Sequence, residues 1–268
     1  MGKRQLVSKR TIARFHENKW DDTEDTIAVE FPVTVTLNGE EFATIVCTPA
    51  DFEDLTIGFL ASEGVIRSPK EIESLLVDDS KGFVHVETKV KQQISRDFYM
   101  KRMIGSCCGK SRHFYYQNDA RTAKTVTSDW TLSVSQGLFL IDELEKESFF
   151  FQKTGGVHNA ALCSEEGIVA IRTDIGRHNA LDKLYGNCLK EGIGTRNKAV
   201  AFSGRISSEV LLKISKIGTG ILLSKSAPTD LALELADELN ITVAGFVRDG
   251  AMNVYTHPWR IRQPTLTE

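Results

Sequence analysis

The first third of the chain alternates apolar residues with other residues in a way that predicts strands. In Phe31–Leu37 every second residue is apolar and Pro or Thr lies between them, which is the period of a strand with one buried face. Asn38-Gly39 separates this run from Phe42–Val46 and predicts a hairpin, because both turn positions need a positive φ. Asp51–Ser62 then follows the helical period, and Ser68–Glu71 has the capping pattern that opens a short helix.

From Ser133 onward, short apolar runs alternate with amphipathic helices. Ser133 and Gln136 form a capping-box pair at the start of the first helix. The apolar runs that follow are Ala160–Cys163, Ile168–Ile171, Ala199–Phe202, Ile221–Leu223 and Ile241–Val247. This alternation predicts a layered α/β domain with a mainly parallel part of its sheet. Ligands of such sheets bind outside the carboxyl ends of the strands, so the loops directly after the apolar runs are candidate sites.

Residues 91–128 separate these two patterns. They are polar and basic and have neither a helical nor a strand period, so we interpret them as a long connecting loop. Such a loop is unusual inside a compact domain and is often functional. We therefore predict an N-terminal α+β domain at residues 1–125, ending in this loop, and an α/β domain at residues 126–268.

Composition excludes several classes of protein. The 268 residues are 41% hydrophobic and 26% charged, which is typical of a globular chain with a sizeable core. With 33 basic and 36 acidic residues the net charge is −3, which does not suggest a nucleic-acid binder. The first 15 residues have no apolar segment of the secretory kind, and no run reaches the roughly 18 apolar residues of a membrane helix. We expect a cytoplasmic protein with no membrane partner.

Cys107 and Cys108 are the strongest candidates for chemistry. Small residues flank them, and the basic residues nearby are Lys101, Arg102, Lys110 and Arg112. Positive charge favours the thiolate, which is the nucleophilic form. The alternatives are two cysteines without a function, or a zinc site with His113, although adjacent cysteines lack the usual ligand spacing. The other cysteines, Cys47, Cys163 and Cys188, lie in apolar runs and are expected to be buried.

Five polar segments, four of which contain glycine, are predicted to be the loops that follow the strands of the second half. They are Thr154–Asn159, Asp174–Asn179, Ser203–Arg205, Ser224–Thr229 and Arg248–Gly250. Helix N-termini and arginines suit phosphates, and glycines let the backbone approach a ligand. Each segment alone has the composition of an ordinary helix cap, but five at one edge favour a phosphate-rich ligand. His158 and His178 are expected to bind rather than transfer protons, because no carboxylate or serine partner orients them.

These segments together resemble the FdhD/NarQ family of formate dehydrogenase accessory sulfurtransferases. The matching motifs are Thr154–His158, Asp174–Lys183, Ser203–Arg205, Ser226–Thr229 and Asn253–Thr256. The resemblance covers nearly the whole chain, including the loop with the two cysteines. It implies a cytidine-deaminase-like layered α/β domain with a smaller N-terminal α+β domain, assembled as a homodimer.

The resemblance also implies a function. A cysteine desulfurase loads a persulfide onto a loop cysteine, and the sulfur passes to the molybdenum bis(molybdopterin guanine dinucleotide) cofactor that formate dehydrogenase needs. Family members often carry C-x-x-C in this loop, whereas here the cysteines are adjacent. The persulfide is therefore expected on Cys107, with Cys108 as the alternative.

The resemblance places cofactor contacts near the C-terminus, in the predicted loop after the last strand, and adds them to the anion-suited segments. The expected contacts are Phe246, Val247, Arg248, Asp249, Gly250, Ala251, His158 and Arg177. The cofactor is expected as a bound client, with guanine nucleotide as its binding fragment, and the chain is expected to hold no permanent metal of its own. Two other functions stay open: a non-catalytic cofactor chaperone for formate dehydrogenase, and a thiol redox sensor.

Overall fold

An antiparallel ribbon begins the chain in the computed structural model, which describes residues 4–90, 102–104 and 123–263. Its strands are β1 (Val7–His16) and β2 (Lys19–Ala28). At the tip, the rings of Phe15 and Trp20 pack 5.2 Å apart between centroids and are 56% and 70% exposed. The sequence did not predict these strands, because charged or polar residues occupy most of their positions.

A five-stranded sheet follows, with the order β5-β6-β3-β4-β7. Its strands are β3 (Phe31–Leu37), β4 (Glu40–Cys47), β5 (Ile72–Asp78), β6 (Phe83–Thr88) and β7 (Arg102–Ile104). The predicted hairpin is confirmed: β3 and β4 are antiparallel, and Asn38 and Gly39 have φ values of 52° and 85°. The short capped helix is a 3₁₀ turn, Pro69–Glu71, whose Lys70 amide donates to the Ser68 hydroxyl.

The interpretation of residues 91–128 as one loop is wrong at β7, whereas residues 123–128 are irregular as predicted. β7 lies inside this range and pairs in parallel with β4, with Ile104 opposite Ile45. Val126 is buried, and its amide donates to the Leu239 carbonyl. Neither β7 nor the burial of Val126 could be predicted from local composition, because each depends on contacts with residues that are distant in sequence.

The larger sheet has six strands in the order β10-β9-β11-β12-β13-β14. They are β9 (His158–Cys163), β10 (Ile168–Asp174), β11 (Ala199–Phe202), β12 (Ile221–Ser224), β13 (Thr242–Arg248) and β14 (Ala251–Val254). β11, β12 and β13 are parallel, and the other pairs are antiparallel. All five predicted apolar runs are therefore strands. β8 (Leu132–Ser133) and β15 (Ile261–Arg262) form a separate short pair.

Helices cover both faces of the larger sheet. The helices of the described residues are α1 (Phe52–Ser62), α2 (Val134–Lys146), α3 (Phe149–Thr154), α4 (Arg177–Lys190), α5 (Ser208–Ile217) and α6 (Asp230–Glu238). The predicted capping box at Ser133 and Gln136 is confirmed at the start of α2. Alternate strand residues pack against α2 on one face and against α4, α5 and α6 on the other, which confirms the layered α/β architecture. Among the described residues, no helix is both long and apolar enough to span a membrane.

Helix α1 joins the N-terminal half to the larger sheet by packing closely on α4. A Cβ atom added at Gly58 would lie 1.8 Å from the Asp182 carbonyl oxygen, and one at Gly186 would lie 1.8 Å from the Asp54 carbonyl oxygen. Residues of the five-stranded sheet, α1 and the larger sheet belong to one buried apolar cluster. The two halves therefore share a core.

Candidate functional site

The five polar segments predicted from the sequence meet at one edge of the six-stranded sheet. Four of them follow the strands that end there. Thr154–Asn159 instead precedes β9, so its description as a segment after a strand is wrong. It reaches the same edge because β9 is antiparallel to β11, with Ala160 opposite Phe202.

Hydrogen bonds connect these segments across the edge. The Asn159 amide donates to the Ser203 hydroxyl at 2.9 Å, and the Ser203 amide donates to the Asn159 carbonyl at 3.1 Å. The Ser226 hydroxyl donates to the Ser203 carbonyl at 3.3 Å, and the Phe246 amide donates to the Ser226 carbonyl at 3.4 Å. The edge is therefore one connected surface.

His158 and Arg177 lie in the same corner of this surface. Burial, together with Arg177 and His178, lowers the pKa of the half-buried His158 imidazole below its ordinary value, so the ring is neutral at pH 7. The Arg177 Nε is buried and has no hydrogen-bond partner among the described residues. Arg177 begins α4, whose N-cap residue, Gly176, supplies no capping side chain. These features suit an anionic ligand.

Glu209 is a charged member of this corner that the sequence reading missed. Its Oε2 lies 3.1 Å from the Nε2 of His178, and the closeness of that ring lowers the pKa of Glu209. The expectation that no carboxylate orients His178 is therefore wrong. Because Glu209 belongs to α5 and His178 to α4, no local spacing could have indicated the pair.

The predicted cofactor segment, residues 246–251, forms the end of β13 and the turn into β14. Asp249 and Gly250 have φ values of 52° and 74° between the paired residues Arg248 and Ala251, so the turn is a two-residue hairpin. The description of this segment as the loop after the last strand is therefore wrong, because β14 follows it directly.

Side chains of this segment differ in what they can contact. The side chains of Arg248 and Asp249 are 56% and 92% exposed, whereas Val247 is fully buried in the core. Phe246 is 37% exposed, and the Arg248 guanidinium lies 5.8 Å from the centre of its ring. Arg248 and Phe246 can therefore meet a ligand, but Val247 offers one only its backbone.

The described cysteines are unsuited to sulfur chemistry. Cys47, Cys163 and Cys188 are buried and free, as predicted. Burial raises the pKa of the Cys47 and Cys163 thiols to about 12 and that of Cys188 to about 11. Cys107 and Cys108 lie outside the described residues, as does His113.

Comparisons with known proteins identify relatives of this chain. The model of the FdhD/NarQ family matches residues 28–262. A sulfur carrier protein FdhD from Bacillus subtilis is 55% identical over 97% of this chain and 99% of its own length. One from Halalkalibacterium halodurans is 58% identical over 97% of each chain. The crystal structure of a proposed formate dehydrogenase accessory protein from Desulfotalea psychrophila superposes with a TM-score of 0.80, at 25% identity, over 96% of this chain and 100% of that one.

Proposed function

This chain belongs to the FdhD/NarQ family, and on that premise we propose that it is a sulfurtransferase that carries sulfur as a persulfide on Cys107. The sulfur comes from a cysteine desulfurase and is delivered to the molybdenum bis(molybdopterin guanine dinucleotide) cofactor of formate dehydrogenase. The relatives' printed name, sulfur carrier protein, supports the sulfur-carrying part of this proposal.

The main support for this proposal is that the three described cysteines are buried and have raised thiol pKa values. A sulfur carrier of this kind needs an accessible thiolate. Of the five cysteines, the three described ones are buried, and their thiol pKa values are about 11 or 12. They are protonated and inaccessible at neutral pH. The role therefore falls to Cys107 or Cys108, whose sequence neighbours are basic.

Sulfur is loaded by an exchange reaction between the Cys107 thiolate and the desulfurase persulfide. The Cys107 thiolate attacks the outer sulfur of the desulfurase persulfide. A sulfur–sulfur bond forms on Cys107, the bond within the desulfurase persulfide breaks, and the desulfurase cysteine leaves as a thiolate. The chain then holds a persulfide anion, whose outer sulfur is the one delivered.

The polar edge of the six-stranded sheet supports the proposal that this chain binds the molybdenum cofactor as its cargo. Phosphates and guanine rings of a dinucleotide need positive charge, free amides and planar surfaces. Arg177 at the N-terminus of α4 and the exposed pair of Arg248 and Phe246 offer these groups. We therefore propose that the guanine dinucleotide ends of the cofactor bind along this edge.

Intact-protein mass spectrometry tests the loading step. The chain is incubated with a cysteine desulfurase and cysteine, alongside Cys107→Ala and Cys108→Ala variants. The proposal expects one added sulfur atom in the wild type and in Cys108→Ala, and none in Cys107→Ala. Loss only in Cys108→Ala would move the persulfide to Cys108. A Cys107→Ala/Cys108→Ala variant that still activates formate dehydrogenase fully would instead support a non-catalytic cofactor chaperone.

A further inference from the structure

A fully buried ion pair lies next to the sheet edge without belonging to its exposed surface. The Nζ of Lys183 lies 2.7 Å from the Oδ2 of Asp174, and both side chains are completely buried. Both residues belong to the motif Asp174–Lys183 that supported the family resemblance. Buried ion pairs can often be replaced by apolar residues without loss of stability, so stability alone does not account for this one.

The remaining polar groups of the pair are directed at the end of β4. The Thr48 amide donates to the Asp174 Oδ2 at 3.0 Å, and Lys183 donates to the Thr48 carbonyl at 3.1 Å. The Thr48 hydroxyl accepts from the Ile175 amide at 3.0 Å. Asn179 donates to the Asp174 Oδ1 at 3.0 Å and to the Val46 carbonyl at 2.9 Å. We call these residues, Thr48, Asp174, Asn179 and Lys183, the β4 anchor.

One side of the β4 anchor leads toward the proposed sulfur-carrying residue. β7 pairs with β4 in parallel, so the two strands run in the same direction, and Ile104 lies opposite Ile45. In the sequence, Cys107 follows Ile104, the last residue of β7, by three residues.

The other side of the β4 anchor is the edge that suits the cargo. Asp174 is the last residue of β10 and lies opposite His158, the first residue of β9. Its Oδ1 also accepts from the Gly176 amide at 2.8 Å, directly before Arg177 begins α4. A single buried carboxylate therefore bonds both to the strand pair that leads to Cys107 and to the corner that holds His158 and Arg177.

We infer that Asp174 is a positioning residue for sulfur delivery. Through Thr48 and Lys183 it fixes the end of β4, which pairs with the strand β7 that precedes the cysteines, relative to the sheet edge where the cofactor is proposed to bind. This inference rests on the proposed function, because it concerns the delivery step. Loading from a desulfurase requires only an accessible thiol and does not depend on this alignment. Delivery requires that the sulfur and the bound cargo meet, and a misplacement of about 1 Å can slow such a step by about 100-fold.

The test separates loading from delivery in two variants. Asp174→Asn/Lys183→Met removes both charges, so that no unpaired charge stays buried, and Thr48→Val removes the hydroxyl while it keeps the ion pair. Loading is measured as one sulfur atom added by a cysteine desulfurase. Delivery is measured as radiolabelled sulfur transferred in a single turnover to formate dehydrogenase that was produced without its accessory protein.

We expect both variants to load sulfur like the wild type, and delivery by the double variant to fall by about 100-fold. The control is Asp182→Asn/Lys213→Met, which removes another ion pair, with 2.6 Å between Nζ and Oδ1, in which Asp182 is buried and Lys213 is partly buried. This pair does not contact β4. The control variant should load and deliver normally.

Wild-type delivery by both variants would overturn the inference, and so would an equal loss in the control. Should the double variant not fold, Asp174→Asn/Lys183→Gln replaces it, because it also removes both charges but keeps a polar group at each position. A loss of delivery by this variant then supports the inference, and normal delivery overturns it. Failure of the proposed function looks different, because Cys107→Ala would then load and deliver sulfur like the wild type.

Discussion

Phe246 is held in a backbone conformation that bulky residues rarely adopt. Its φ is 51°, in the left-handed region, at an irregularity in the pairing of β13 with β14. Such strain concentrates at functional sites. The aromatic ring stays 37% exposed while the neighbouring Val247 is buried, so the irregularity presents a planar surface beside Arg248 at the proposed cargo edge.

Arg248 provides the sharpest test of that edge. An arginine–phosphate hydrogen bond contributes about 1.5–3 kcal/mol. Arg248→Ala should therefore weaken binding of guanosine diphosphate by about 10- to 100-fold, as measured by calorimetric titration. Arg10→Ala, an exposed arginine on the N-terminal ribbon, is the matched control and should bind normally. Equal affinities for the wild type and Arg248→Ala would remove Arg248 from the site.

His158 makes the folded protein sensitive to acid. Burial lowers its pKa below the ordinary value of 6.5, so the unfolded chain takes up a proton before the folded chain does. Stability should therefore fall as the pH decreases from about 6.5 through the lower value of the folded state. His158→Gln should flatten this part of the profile in thermal unfolding measured against pH. A variant profile parallel to that of the wild type would contradict the assignment.

At the scale of elements, the close contact of α1 with α4 depends on two glycines. A Cβ atom at Gly58 or Gly186 would lie 1.8 Å from a backbone oxygen of the facing helix, so the helices would have to move apart. Gly58→Ala and Gly186→Ala should each lower the free energy of unfolding by about 3 kcal/mol or more, as measured in urea. Gly194→Ala is the control, because nothing lies within 4 Å of its added Cβ, and a comparable loss there would show that the contact is not the cause.

The sequence predicted elements whose period or turn chemistry is local. The Asn38-Gly39 hairpin, the capping box at Ser133 and the five apolar strands of the larger sheet are confirmed. It did not predict the ribbon strands, in which charged or polar residues occupy most positions. It also did not predict β7 and β14, which are too short to show a period and are defined by their pairing with β4 and β13. The anion-suited segments were found by composition, but the pairing of His178 with Glu209 depends on contacts between helices.

At the scale of the whole molecule, the five-stranded sheet and the larger sheet share one apolar cluster and are also joined by the β4 anchor. The strand that leads to the cysteines belongs to one sheet, and the cargo edge belongs to the other. The division at residues 125 and 126 stays a prediction about sequence organisation. Sulfur delivery, in the proposed function, depends on how these two sheets are held together.

Sulfur delivery from this chain to formate dehydrogenase can be tested by following labelled sulfur from one protein to the other. The chain is loaded with radiolabelled sulfur, separated from the desulfurase and from cysteine, and mixed with inactive dehydrogenase that was produced without its accessory protein. We expect the label to move to the dehydrogenase as its activity appears, and Cys107→Ala to support neither. Activity that appears while the label stays on this chain would contradict sulfur delivery by this protein.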